Sequence, residues 1–194
     1  MVRVVPEYKE EARRRILQKA VEIFAQHGYH ATTMDDIAHA VGVSKGAIYL
    51  YFDSKETLFA EMVAWKREEG LHRAKVYFSS YTGKDVLEAM FEYWLSLMDK
   101  RFIRLSLEIT SLSYQNPRLR EILREDREQD FKILSSLLEE QQKEGRIPAQ
   151  VNISLLSQTI WFFMNGLFFA LSQGLERDDA RDSWNEMIRC WLQD

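Results

Sequence analysis

The residues that most often staple or break a chain are scarce here: one cysteine, three prolines and eight glycines in 194 residues. A single Cys190 excludes an intrachain disulfide and any multi-cysteine metal site, and it points to a reducing, cytoplasmic compartment. The four histidines complete no metal set: His27 and His30 flank a glycine, while His39 and His72 stand alone. No nucleophile is paired with a base, no two carboxylates share an apolar face, and no glycine-rich phosphate loop is present, so neither enzyme chemistry nor a cofactor is expected. The opening MVRVVPEYKEEARRR lacks an apolar stretch, so no secretion signal is expected. The longest apolar run, 160–171, is interrupted by Asn165. It falls short of the ~20 residues that cross a bilayer, so no membrane partner is expected.

What remains are long stretches without a breaker, 46% hydrophobic overall, which predict an all-α protein able to bury a core in one or two domains. Pro6 to His27 reads as the first helix, with Leu17, Ala20, Val21 and Phe24 on one stripe and Gly28 at its end. Arg13, Arg14 and Arg15 on its outer sides suit a solvated face paired with Glu10, Glu11 and Glu22, or DNA backbone at the edge of a site. From Ser54 a long helix runs through Leu58, Phe59, Met62 and Trp65 toward Phe78, with a break expected at 79–83. Amphipathic helices follow at 85–100, 102–114, 118–144, 153–173 and from Asp178 onward, about nine in all, joined by short loops as in a bundle.

One stretch, 33–55, TMDDIAHAVGVSKGAIYLYFDSK, organises the reading. Met34, Ile37, Ala38 and Val41 make one helical stripe, Thr33 caps it with Asp36 as a capping-box variant, and Gly42 stops it. Val43 is placed to pack into the turn, and Ser44 to cap a second short helix from Lys45. Two helices joined by a three-residue turn containing glycine form a helix-turn-helix. Ile48 and Phe52 share the inward face of the second helix, which leaves Gly46, Ala47, Tyr49 and Leu50 outward and Lys45 at the margin. Such a narrow-waisted face fits a major groove, where Leu50 offers an aliphatic tip to a thymine methyl.

Lys45 and Lys55 each stand in the first turn of a helix, where the positive macrodipole disfavours a cation by ~0.3–1 kcal/mol. A phosphate bound at those helix starts would relieve both. Charge by region supports placed contacts over bulk attraction. Residues 1–66 hold nine Lys/Arg and nine Asp/Glu, so the net charge of −4 lies entirely in the rest of the chain.

Thr33, Ile37, Ala38, Ala40 to Gly46, Ile48, Tyr49, Tyr51, Phe52, Lys55 and Leu58, at this spacing, resemble the DNA-binding signature of the TetR family of bacterial and archaeal transcription regulators. Leu50 departs from the polar or aromatic residue common at its position. The resemblance implies an N-terminal head, taken as 1–54, and a C-terminal ligand-binding and dimerisation domain, 55–194. It also implies a homodimer on a pseudo-palindromic operator, released by a small inducer. The candidate DNA-contacting residues are Thr33, Ser44, Lys45, Gly46, Ala47, Tyr49, Leu50, Tyr51 and Lys55.

In the body, 153–173 is apolar nearly all round, so it needs two partners. One can be its own core and the other a second copy, which makes 153–173 with 178–192 the expected homodimer interface; the alternative is a helix fully enclosed in one chain. Met90, Trp94, Met98, Trp161, Phe162 and Phe169 could line a pocket or form plain core. Glu108 and Asn165 are the polar groups expected to face that pocket. Its lining would suit a sizeable hydrophobic effector such as a fatty-acyl compound or a lipophilic drug. The leading function is therefore a ligand-responsive repressor; an activator, or a helical adaptor whose helix-turn-helix binds protein, are the alternatives.

Overall fold

A computed structural model describes residues 6–78 and 85–191. Among these the chain forms nine α-helices and no strand: α1 (Pro6–His27), α2 (Met34–Val41), α3 (Lys45–Tyr49), α4 (Lys55–Phe78), α5 (Asp85–Ser96), α6 (Lys100–Ser113), α7 (Pro117–Lys143), α8 (Ile153–Ser172) and α9 (Arg177–Trp191). The break expected at 79–83 lies outside the described residues. Two compact units emerge, one of residues 1–71 with 100–123, the other of 72–99 with 124–194.

The first unit is built on α1. Ile16, Leu17, Ala20 and Phe24 on α1 are buried with Ile37 and Ala38 of α2, Ile48 of α3, Phe52, and Leu58, Phe59 and Met62 of α4. Phe24 stacks on Tyr29, with ring centroids 5.4 Å apart, and meets the edge of Phe59 at 5.7 Å. Ile109 of α6 and Leu119 and Ile122 of α7 belong to the same cluster, so the compact unit is larger than a three-helix head. Sequence spacing could not show this, because those residues lie 50 or more positions after the motif.

Arg13 departs from the expected pairing with neighbouring acids on α1. Its guanidinium forms a two-pronged pair with Glu61 on α4, donates to the Tyr51 carbonyl at 3.1 Å and lies 4.7 Å over the Phe52 ring. A forked, flat cation is suited to bonding and stacking at the same time. It thus clamps the segment that follows the recognition helix. Arg14 pairs with Glu69 at 3.3 Å, again across to α4.

The second unit packs around Trp184 on α9, fully buried, with Phe91 of α5 stacked at 5.1 Å and Phe163 of α8 at 6.4 Å. Leu134 and Leu138 of α7 and Ile153, Ile160 and Leu167 of α8 complete its core. α5 ends at Ser96, four residues earlier than expected, because the backbone tightens there. Leu97 and Met98 bond back three residues to Trp94 and Leu95, and Arg177 takes the carbonyls of Leu95 and Met98 at 3.4 and 2.7 Å. An ion pair, Arg181 with Glu92, also joins α9 to α5.

Counted whole, α8 is 20 residues with a mean hydropathy of 1.4 over its best window, so by length and composition alone it could cross a membrane. The 160–171 run is thus part of a longer apolar helix than the run alone suggested. Its packing explains the composition differently: one face is core, while Leu155, Phe162 and Phe169, seven apart, remain 61%, 57% and 55% exposed. A helix enclosed within one chain is thereby excluded for α8.

Because Phe24 is the ring on which Tyr29 and Phe59 converge, Phe24→Ala is expected to cost ~3–5 kcal/mol in urea unfolding followed by circular dichroism. A loss below ~1 kcal/mol would show that the first unit does not depend on this cluster.

Candidate nucleic-acid interface

The head is held together by local caps. Thr33 is the N-cap of α2: its Oγ1 accepts from the Asp36 N–H at 3.2 Å, while Asp36 accepts from the Thr33 N–H at 2.8 Å and from its hydroxyl at 2.7 Å. Those bonds from Thr33 hold the exposed Asp36 carboxyl below the ordinary carboxylate range, so the capping box persists until the pH falls through that lowered value. Gly42 ends α2 in the left-handed region at φ 80°, and the N–H groups of Gly42 and Val43 close on Ala38. Val43 is 37% exposed, so its side chain does not fill the turn as expected. Ser44 caps α3 through Ala47 N–H at 3.2 Å.

The recognition face follows from two buried anchors. Ile48 and Phe52 are fully buried, which turns the intervening positions outward. Lys45 and Gly46 are exposed, Ala47 is half-buried, Tyr49 is 42% exposed and Leu50 78%. A Cβ at Gly46 would meet no other atom of this chain. Glycine within a helix costs ~0.5–1 kcal/mol relative to alanine, and no packing within 4 Å of that position requires it here. Tyr51 is half-buried against the core, and its carbonyl is taken by Arg13.

The two lysines separate. Lys45 Nζ bonds the Asp35 carboxylate at 2.9 Å with both side chains more than half exposed, and this partner keeps the ammonium's pKa above its usual value. An exposed pair of this kind is worth little and can be exchanged for a phosphate. Lys55 does something other than expected. Its Nζ donates to the carbonyls of Tyr29 at 2.9 Å, Thr32 at 2.9 Å and His30 at 3.4 Å, and it lies 4.4 Å over the Tyr29 ring. Burial pulls this ammonium below its usual pKa, with Glu56 and Glu108 opposing the shift. The carbonyls relieve the lysine in place of a phosphate, so Lys55 is a staple of the turn before α2.

Residues 16–62 match the sequence profile of bacterial regulatory proteins of the tetR family. The helix-turn-helix segment is that of the tetR family of regulatory proteins. The transcriptional regulator UidR of Escherichia coli K12 is 26% identical to it over 153 residues, covering 78% of this chain and 76% of that one. Two solved structures share its fold. A TetR-family regulator from Rhodococcus sp. superposes with a TM-score of 0.80 at 18% identity over 95% of this chain and all of its own. FadR of Bacillus subtilis, in complex with stearoyl-CoA, does so with a TM-score of 0.74 at 24% identity, over 93% of this chain and 97% of its own.

The candidate effector residues do not converge on one site: Met90, Trp94 and Trp161 pack on the second unit's core, and the others lie outside that cluster. Met98 is buried, Met90 and Trp94 are half-buried in the second unit's core, and Trp161 meets Phe131 and Phe162 edge-on while its Nε1 donates to Asp130 at 3.2 Å. Phe162 and Phe169 point outward, and Asn165 is exposed, its amide donating to the Trp161 carbonyl at 2.8 Å. Glu108 is a correction: it belongs to the first unit, where its carboxylate accepts from the N–H groups of Tyr29 at 3.1 Å and His30 at 2.7 Å. An α-helical glutamate reaching a turn almost 80 residues earlier leaves no local signal in the sequence. What the second unit does hold is an open cleft of about 390 Å³ between α7 and α8, lined by Phe131, Lys132, Ser135, Ser136, Glu139, Ser154, Ser157 and Gln158. All of its lining residues but Phe131 carry a polar or charged group, which the aromatic spacing did not foretell.

Lys45→Ala is expected to leave the melting temperature unchanged and to lower the slope of log affinity against log salt for duplex DNA by about 1. Lys55→Ala is expected to lower the melting temperature, because three carbonyls lose their donor. The reverse pattern would exchange the two roles. Gly46→Ala is expected to stabilise the fold by ~0.4–1 kcal/mol and still weaken operator binding. Stronger or equal binding would show that nothing approaches this face closely.

Proposed function

We propose that this chain is a cytoplasmic ligand-responsive repressor that binds a pseudo-palindromic operator as a homodimer and is released by an amphiphilic effector. The observation that carries the reading is the face of α3, where two fully buried side chains, Ile48 and Phe52, aim an open glycine, an exposed tyrosine and an exposed leucine outward together. A face this small can touch only three or four base pairs, so specific binding requires two copies.

The α8 stripe of Leu155, Phe162 and Phe169 supplies the means of pairing. Three large apolar side chains on one line, with Gly166 between them and open space where its Cβ would be, suit the same stripe on a second chain, crossing about a two-fold axis. The α9 helix, which packs on α8, is read as the second element of this interface. Charge favours the same division of labour. Residues 1–71 with 100–123 carry 15 Lys/Arg and 13 Asp/Glu, against 11 and 17 in the remainder, so the DNA-facing unit is the positive one.

The effector is read from the α7–α8 cleft. Phe131, in contact with Trp161, offers an apolar wall, and the serine hydroxyls, Gln158 and Lys132 offer bonds to a polar or anionic group. Stearoyl-CoA in the FadR structure supports an acyl-bearing compound. Effector binding shifts the population toward a form that does not hold DNA, by no more than its preference for that form. Helix α4, continuous from Lys55 to Phe78, is one of the covalent elements through which that preference is transmitted.

Selection of bound duplexes from a random pool is expected to return an inverted repeat, and sedimentation to show a dimer. Phe162→Asp is expected to give a monomer with operator affinity reduced by at least ~10²-fold. A monomeric wild-type chain, or equal retention of all duplexes, would overturn the reading, and retention of none would favour a protein-binding adaptor.

A further inference from the structure

The turn from Gly28 to Thr33 is bonded from two sides by groups that lie far along the chain. Gly28 adopts φ +84°, and a Cβ added there would run into the Glu108 carboxylate, so glycine is required both for the turn and for the approach. The two N–H groups that follow, on Tyr29 and His30, are each taken by one oxygen of Glu108, at 3.1 and 2.7 Å. The Tyr29, His30 and Thr32 carbonyls converge on Lys55, and the Thr32 hydroxyl closes on the Gly28 carbonyl at 2.6 Å. The next residue, Thr33, is the N-cap of α2. Where α2 starts is therefore set by a carboxylate on α6 and an ammonium on α4, and α3 follows α2 through the Gly42 turn.

We propose that Glu108 is a positioning residue for operator binding, holding the start of α2 from α6 and so fixing the pose of α3 without touching DNA. Glu108 lies outside residues 16–62, so the family motif by itself lacks the group that orients it. A carboxylate accepting two N–H donors makes charge-assisted bonds, about twice as strong as neutral ones, and it supplies two acceptors at fixed spacing. The side-chain amide of glutamine offers one acceptor and presents a donor to the second N–H. Because α6 is joined to α5 by only Leu97, Met98 and Asp99, the same bonds are the place where a displacement of α6 would reach the DNA-binding face.

The inference rests on the operator-binding reading, and the test separates the two. The full-length wild-type chain first selects a duplex from a random pool. Its affinity for that duplex and for a scrambled one is then measured by fluorescence anisotropy at fixed salt for wild type, Glu108→Gln and Glu108→Asp, beside melting temperatures and the ¹⁵N–¹H shifts of Tyr29 and His30. The expected result is upfield movement of both amide protons and at least tenfold weaker binding of the selected duplex by folded Glu108→Gln, with binding of the scrambled duplex unchanged. Glu108→Asp, which keeps the charge with a shorter reach, is expected to be intermediate and serves as the reading if the glutamine variant does not fold. Unmoved amide shifts, or a lowered melting temperature with unchanged preference for the selected duplex, would overturn the inference while leaving operator binding intact. Failure of the wild type to prefer any duplex would overturn both.

Discussion

One short turn, held between the Glu108 carboxylate on its N–H side and the Lys55 ammonium on its carbonyl side, sets where the DNA-binding motif begins. A peptide turn has a dipolar character that seldom finds both partners, because its free N–H and C=O groups usually go to water. Here an acid from α6 and a base from α4 take them together, and the Tyr29 ring fills the space beside the lysine. The pair works only because Gly28 has no side chain, which lets the carboxylate approach the backbone closely. Around this point Phe24, Tyr29 and Phe59 form the aromatic centre of the first unit, so the polar brackets and the apolar core share an anchor.

Arg13 performs a related task at the other end of the motif. It joins Glu61, the Tyr51 carbonyl and the Phe52 ring, and so ties the exit of the recognition helix to α1 and α4. Between the two clamps lie α2, Gly42 and α3, each helix closed by its own caps. α3 is only five residues long, below the length at which a helix is stable by itself, so its persistence depends on burying Ile48 and on the restraint at either end. The second unit shows the opposite economy. Its α8 is stabilised by a core face yet leaves a line of large apolar side chains in the open, which is a cost in water unless another surface covers it.

Much of the architecture was legible from spacing. The stripe of Met34, Ile37 and Ala38, the Gly42 stop and the Thr33 and Ser44 caps all rest on contacts within four residues, and each is found where the residue types demand it. The outward set at Gly46, Tyr49 and Leu50 was equally readable, since helical rotation fixes it once Ile48 and Phe52 are buried. Side chains with long reach were read poorly. Lysine, arginine and glutamate can span several ångströms in many directions, so periodicity gives their face and not their partner. Lys55 turned inward, Arg13 reached across to Glu61, and Glu108 bonded a turn where a ligand had been expected.

The sequence by itself determined the number and kind of helices, the helix-turn-helix with its caps, and the side of α3 that faces away from the core. These are properties of hydrogen bonds and side-chain rotation over a few residues. Only the tertiary structure decided that α6 shares a core with the motif, that serines and charged residues line the cleft between α7 and α8, and which charges are already committed to the backbone. Those outcomes depend on groups brought together from positions 20 to 80 residues apart, and the free energy that selects among such partners is not written in the spacing of any one segment.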